Sequence, residues 1–168
     1  MGDSHVRRIE EYRGLMDGKL NRGEIAVSFV YRGGAGLDFI LCNMEQARGY
    51  DILIVMAGSN DLSRQAKRPY FEHCYRIIEE RSRELGVRQT VITSFWPRKD
   101  VQYNRVALLH HQHMSVYLKD HPRMTYWSWD RRQPSRTYDG VHLHQHGYEK
   151  AVKYLIAPIL WAAKRIQE

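Results

Sequence analysis

Dense apolar runs alternate along this chain with stretches in which apolar residues recur every three or four positions. The runs have the composition of strands. IAVSFVY, following Glu24, is rich in β-branched and aromatic residues and ends at Gly33-Gly34, DILIVMAG at 51–58 repeats that design, QTVITSFW at 89–96 stops before Pro97, and MTYWSW at 124–129 is a weaker fourth. Between them the period changes. PYFEHCYRIIEERSRELG at 69–86 opens with Pro69, closes on Gly86 and sets Phe71, Cys74, Tyr75, Ile78 and Leu85 near one face of a helix. Residues 101–119 place Val106, Leu109, His113, Val116 and Tyr117 at similar intervals. Residues 147–166 do so with Ala151, Tyr154, Leu155, Ile159 and Ala163, and Pro158 is expected to kink that helix. A further helix begins at Ser4 and turns Val6, Ile9 and Leu15 inward, with Ser4 itself suited to the N-cap.

Strands separated by helices of this length imply parallel pairing and a layered α/β domain. With 168 residues and no repeat, linker or low-complexity tract, one domain over 1–168 is expected. Nothing approaches the roughly 18 uninterrupted apolar residues of a membrane span, and the N-terminus does not read as a secretory signal, so the expectation is a soluble, intracellular protein. Cys42 and Cys74 have no zinc or disulfide-framework spacing and read as reduced, buried thiols.

In a parallel α/β fold the chemistry gathers beyond the carboxyl ends of the strands. Asn60, in Gly58-Ser59-Asn60-Asp61, follows the second run and can offer its amide NH2 to a crevice. Arg32-Gly33-Gly34-Ala35-Gly36 follows the first run, and its glycines leave backbone N–H groups uncovered for an oxyanion. Each stretch also has the composition of an ordinary turn. Ser4, in GDSH, has the free N–H groups and dipole of a helix start beside it, as a nucleophile requires. Asp139, three residues before His142 in DGVH, can hold one imidazole nitrogen and leave the other to act as a base.

Taken together, GDS near the start, a glycine loop after the next strand, GxND after the one that follows and DxxH before the last helix resemble the SGNH (GDSL-type) hydrolase superfamily over nearly the whole chain. The resemblance implies a three-layer α/β/α sandwich with a parallel sheet, its first strand truncated because only Met1 precedes GDS. It implies Ser4 as nucleophile, His142 as base, Asp139 as the group that orients His142, and an oxyanion hole of Ser4, Gly36 and Asn60, with Gly34 the other glycine that could donate. The implied reaction is hydrolysis of a small-molecule, lipid or carbohydrate ester without metal or cofactor.

Two features bear on other functions. The charge of +7, from 26 Lys and Arg against 19 Asp and Glu, favours anionic partners, and the rival reading is an SGNH-like module that holds nucleic acid or protein with little catalysis. The basic pairs Arg7-Arg8, Lys67-Arg68, Arg98-Lys99 and Arg131-Arg132 are scattered, although the last lies close to Tyr126, Trp127 and Trp129, a mixture suited to stacking on bases. HLHQH at 142–146 would align three imidazoles for a metal only if extended, and Gly147 and the helical sequence beyond it argue against that. His110 and His113 could share a helix face. Trp96, Pro97, Tyr103 and Asn104 are candidates for walls of a cleft or for packing at its rim.

Overall fold

The computed structural model describes residues 1–20, 25–128 and 139–168. Its sheet is parallel, with strands β1 (Ile52–Val55), β2 (Gln89–Thr93) and β3 (Met124–Trp127) in that order. Helices α1 (Ser4–Glu10), α2 (Arg13–Leu20), α3 (Leu37–Cys42), α4 (Ser59–Ser63), α5 (Arg68–Glu84), α6 (Val101–Tyr117) and α7 (Gln145–Arg165) complete the described residues, with two short 3-10 turns.

Strand alternation sorts the helices into two layers. Leu53 and Val55 point to one face of β1, where they meet Leu37 and Ile40 of α3, Phe71, Tyr75 and Ile78 of α5, and Ala107 and Met114 of α6. Ile54 and Met56 point to the opposite face, against Val6 and Ile9 of α1, Met16 of α2, and Val152, Leu155 and Ile159 of α7. The result is the expected α/β/α sandwich. Every residue predicted for the inner face of α5 is buried, and Phe71, Tyr75 and Ile78 are fully so. Burial of Phe71 and of Ile78 stabilises the fold by about 1.5–3 kcal/mol each.

The first predicted strand is different. Residues 25–30 form no strand, yet Ile25, Val27, Phe29 and Tyr31 lean on the core while Ala26 and Ser28 are more open, so the segment keeps the two-residue period of extended chain. Its pairing partner is the short stretch ahead of Ser4. Gly2 bridges Tyr31 on one side and Met56 on the other, both in parallel sense. The bonds are Gly2 N–H to Val30 O (2.9 Å), Arg32 N–H to Gly2 O (3.2 Å) and Met56 N–H to Met1 O (2.9 Å). Met1 and Gly2 therefore occupy a strand position between residues 30–32 and β1, although too few residues pair to make a full strand.

Other departures have local causes. On α6 the buried residues are Tyr103, Ala107, His110 and Met114, whereas Val106, Leu109 and Val116 are exposed. Apolar residues lie on more than one side of this helix, so spacing alone does not choose its inner face. Leu15 is exposed and Met16 buried, because the chain turns at 11–12 and α2 starts a new phase. Helix α7 runs through Pro158 and buries Tyr148, Val152 and Ile156 as well as the predicted Ala151, Leu155 and Ile159. Cys74 is buried but Cys42 is exposed. No described helix is long and apolar enough to cross a membrane.

Candidate functional site

Ser4 is the first residue of α1, and the N-cap is Asp3, whose carboxylate accepts the His5 N–H at 2.9 Å. That leaves the Ser4 hydroxyl free for another partner. The partner is His142, with Nε2 2.9 Å from Ser4 Oγ. On the far side of the ring, Nδ1 lies 2.5 Å from Asp139 Oδ2. A carboxylate only accepts, so Nδ1 carries a proton, and in the neutral ring Nε2 is the bare nitrogen to which the Ser4 O–H donates.

Asp139 is organised by its own turn. Its Oδ1 accepts the backbone N–H groups of Val141 (2.9 Å) and His142 (2.7 Å), which points Oδ2 at the ring. The hydrogen bond from the imidazole, followed by the one from the His142 backbone, holds the carboxyl well below the usual carboxylate range. The turn then enters α7, with Leu143 buried beneath it. His144 is the exposed N-cap of α7, and exposed His146 turns towards Glu149 at 3.4 Å. The three histidines diverge, and no described group of three or more His, Cys, Asp or Glu could hold a metal.

Asn60 lies in α4, immediately after Gly58, the turn at the end of β1. Gly58 has φ +106, and a Cβ there would come within 2.9 Å of the Phe95 ring. The Asn60 amide is oriented from both ends. Its Nδ2 donates to Ala35 O at 2.9 Å, while its Oδ1 accepts from Arg98 Nη2 at 3.3 Å. A carbonyl oxygen cannot donate and a guanidinium cannot accept, so the chemistry of the two neighbours assigns the amide. With one Nδ2 hydrogen on Ala35, the other has no acceptor among the described residues.

Through Ala35 O, Asn60 also grips the peptide that carries the Gly36 N–H. Gly36 is buried and Gly34 exposed. Beneath Gly36 lies Asp61, which accepts the Leu37 N–H at 2.9 Å and the Tyr70 O–H at 3.1 Å. A Cβ on Gly36 would stand 2.4 Å from Asp61 Oδ1 and 2.8 Å from Oδ2, so only glycine fits without displacing the carboxylate. The N–H groups of Ser4 and Gly36 have no acceptor among the described residues.

Several neighbours carry no motif of their own. His5 is buried, its ring centroid 5.5 Å from that of His142 and its Nδ1 3.0 Å from Tyr148 Oη. Burial lowers its pKa to about 3, so it adds no positive charge beside His142. Burial likewise raises Asp3 to about 6. Asp3, His5, Met56, Ser59, Phe95 and Trp96 are among the residues that line a small cavity behind the start of α1. Asp3 and His5 flank Ser4 in the sequence, but their burial is a property of the packed fold. Trp96 packs 6.1 Å from the His5 ring, Tyr103 stacks under Arg98, and Asn104 binds the Arg98 backbone, so these aromatic and polar residues brace the site. His110 lies in the core against Phe71 and Phe95, whereas His113 meets Glu72 at 2.6 Å.

Part of the basic surface is balanced locally. Arg8, Arg48, Arg68 and Arg81 each meet a glutamate within 3.4 Å. The aromatic and basic cluster read from the sequence lies partly outside the described residues, since Trp129, Arg131 and Arg132 fall there.

No protein-family model and no curated protein matches this sequence. The fold, however, matches solved structures. A carbohydrate esterase of family 3 from Talaromyces cellulolyticus superposes with a TM-score of 0.65 at 16% identity over 98% of this chain and 96% of its own. A protein assigned to the lipolytic G-D-S-L family, from Desulfitobacterium hafniense, gives a TM-score of 0.73 at 12% identity over 94% and 95%. An acetyl esterase, solved as a serine-to-alanine mutant with acetate ion, gives 0.66 at 14% identity over 81% of this chain and 72% of its own. At these identities the likeness is one of fold: the chain shares the α/β/α fold of these structures.

Proposed function

We propose that this protein is a serine ester hydrolase. One observation carries the reading. Ser4 Oγ, His142 and Asp139 form a continuous hydrogen-bonded line of 2.9 Å and 2.5 Å, with the imidazole tautomer that activates a hydroxyl. A domain that only bound a partner would have no need of that polarity in that order. The presence of esterases among the matching folds agrees with it.

In this mechanism His142 Nε2 takes the Ser4 proton as Oγ attacks the ester carbonyl, and Asp139 stabilises the imidazolium that forms. The oxyanion of the tetrahedral intermediate is received by the N–H groups of Ser4 and Gly36 and by the uncommitted Nδ2 hydrogen of Asn60. His142 then protonates the departing alcohol. Water repeats the sequence on the acyl-serine and releases the acid. The burial of Gly36, and the grip of Asn60 on its peptide, favour it over Gly34 as the backbone donor.

The test is hydrolysis of p-nitrophenyl acetate by the native protein and by Ser4→Ala, with fluorophosphonate labelling of Ser4 as a second readout. Native hydrolysis lost in Ser4→Ala is the expected result. Equal rates and no labelling would sink the reading, and salt-dependent retention on nucleic acid would then favour the binding module.

A further inference from the structure

Arg98 occupies the loop between β2 and α6, and its side chain reaches α4. Asn104 clips its backbone on both sides, accepting the Arg98 N–H at 2.8 Å and donating to Arg98 O at 2.6 Å. The guanidinium lies over the Tyr103 ring, with Cζ 4.5 Å from the centroid. Nη1 donates to Ser63 Oγ at 2.6 Å, and Nη2 donates to Ser59 Oγ at 2.5 Å and to Asn60 Oδ1. Tyr103 O–H joins from the other side, donating to Ser59 Oγ at 3.1 Å. No carboxylate among the described residues pairs with this cation, unlike Arg8, Arg48, Arg68 and Arg81. An arginine locked at its backbone, stacked on its face and spread over three neutral oxygens is a rigid donor aimed at α4.

We infer that Arg98 is a positioning residue, setting which end of the Asn60 amide meets the reacting carbonyl. The inference rests on the ester hydrolase reading, in which Asn60 is an oxyanion donor. The two ends of a primary amide are nearly equal in size, so shape alone does not distinguish them. Reversing the amide would set its oxygen against Ala35 O and its NH2 against the guanidinium. A reversed amide would also turn lone pairs towards the developing negative charge. Arg98 acts on the reaction through Asn60 and does not itself touch the carbonyl.

The experiment combines Arg98→Met and Arg98→Lys with Asn60→Ala and uses p-nitrophenyl acetate, a neutral ester. Arg98→Met is expected to lower kcat by about tenfold to a hundredfold, less than the roughly 10²–10³ for loss of a whole donor, with KM unchanged. Arg98→Lys keeps a donor and restores most of the rate, and it also serves if the methionine variant folds poorly. In the Asn60→Ala background Arg98→Met should cost nothing further, because the two residues act as one unit. An equal fold-loss in both backgrounds overturns the inference, as does a loss confined to anionic esters such as p-nitrophenyl hemisuccinate.

A second readout does not depend on hydrolysis. In ¹⁵N-labelled protein the two Nδ2 protons of Asn60 should be well separated, and Arg98→Met should narrow that separation while the bond to Ala35 O persists. An unchanged pair overturns the role of Arg98 even if Ser4 proves inert. A changed pair with no Ser4-dependent hydrolysis overturns the ester hydrolase reading alone.

Discussion

Ser4 Oγ and His142 Nε2 meet at 2.9 Å although 138 positions separate the two residues in the chain. The contact joins the start of α1 to the turn that opens α7, two helices packed on the same face of the sheet. Geometry of this kind makes definite demands on the neighbours.

Asp139→Asn should keep a side chain of the same shape but lose the obligate acceptor that fixes the His142 tautomer. In a constellation of this type such a change lowers kcat by on the order of 10³–10⁴. The thermal midpoint should move little, since Asp139 is exposed. Steady-state kinetics together with a melting curve checks both halves.

The proposed oxyanion pocket yields a graded pair. Asn60→Ala should lower kcat by roughly 10²–10³, or about 3–4 kcal/mol in the barrier, with the fold intact. Gly36→Ala should impair both activity and stability, because its Cβ would collide with the Asp61 carboxylate that holds the Leu37 N–H. Displacing that buried acceptor leaves a buried donor unsatisfied, at a cost of about 1–3 kcal/mol. Urea unfolding midpoints separate the two variants.

Asp3 and His5 predict opposing pH dependences of stability. Asp3 is raised by burial from 3.8 to about 6, so between those values the folded protein keeps a proton that the unfolded chain has released, and stability falls as pH rises. His5 is lowered by burial from 6.5 to about 3, so there the unfolded chain takes up a proton that the folded protein refuses, and stability falls as pH drops. Over roughly pH 4–6 the two slopes oppose each other. Asp3→Asn, which can still accept the His5 N–H, should expose a stability that climbs with pH. His5→Gln should flatten the dependence, because His110, which burial lowers to about 4, still opposes Asp3. Chemical denaturation at half-unit pH steps measures both slopes.

Helix α6 offers a test of packing. Leu109→Gln and Val116→Gln replace apolar residues that the sequence set at helical intervals, yet both are about two-thirds exposed, at 65% and 63%. Each should shift stability by no more than about 0.5 kcal/mol. Met114→Ala, on the buried side, should cost about 2–5 kcal/mol. Thermal or urea unfolding of the three variants beside the native protein reads the difference.

What the amino-acid sequence determined by itself was whatever depends on local period and on backbone chemistry. The inner face of α5 was legible because its apolar residues repeat on one side only, between Pro69 and Gly86. Ser4, Asn60, Asp139 and His142 became candidates because each stands in a short motif and the four motifs fall in one order along the chain. The tertiary structure decided the rest, because burial and pairing are relations between distant segments. It chose the inner face of α6, gave a strand position to Met1 and Gly2 where residues 25–30 could not form a strand alone, and drew Asp3, His5 and Arg98 into the site. An arginine in a sequence is a charge looking for any partner. Only packing against Tyr103 and Asn104 aims it at α4, where it meets Ser59, Ser63 and Asn60.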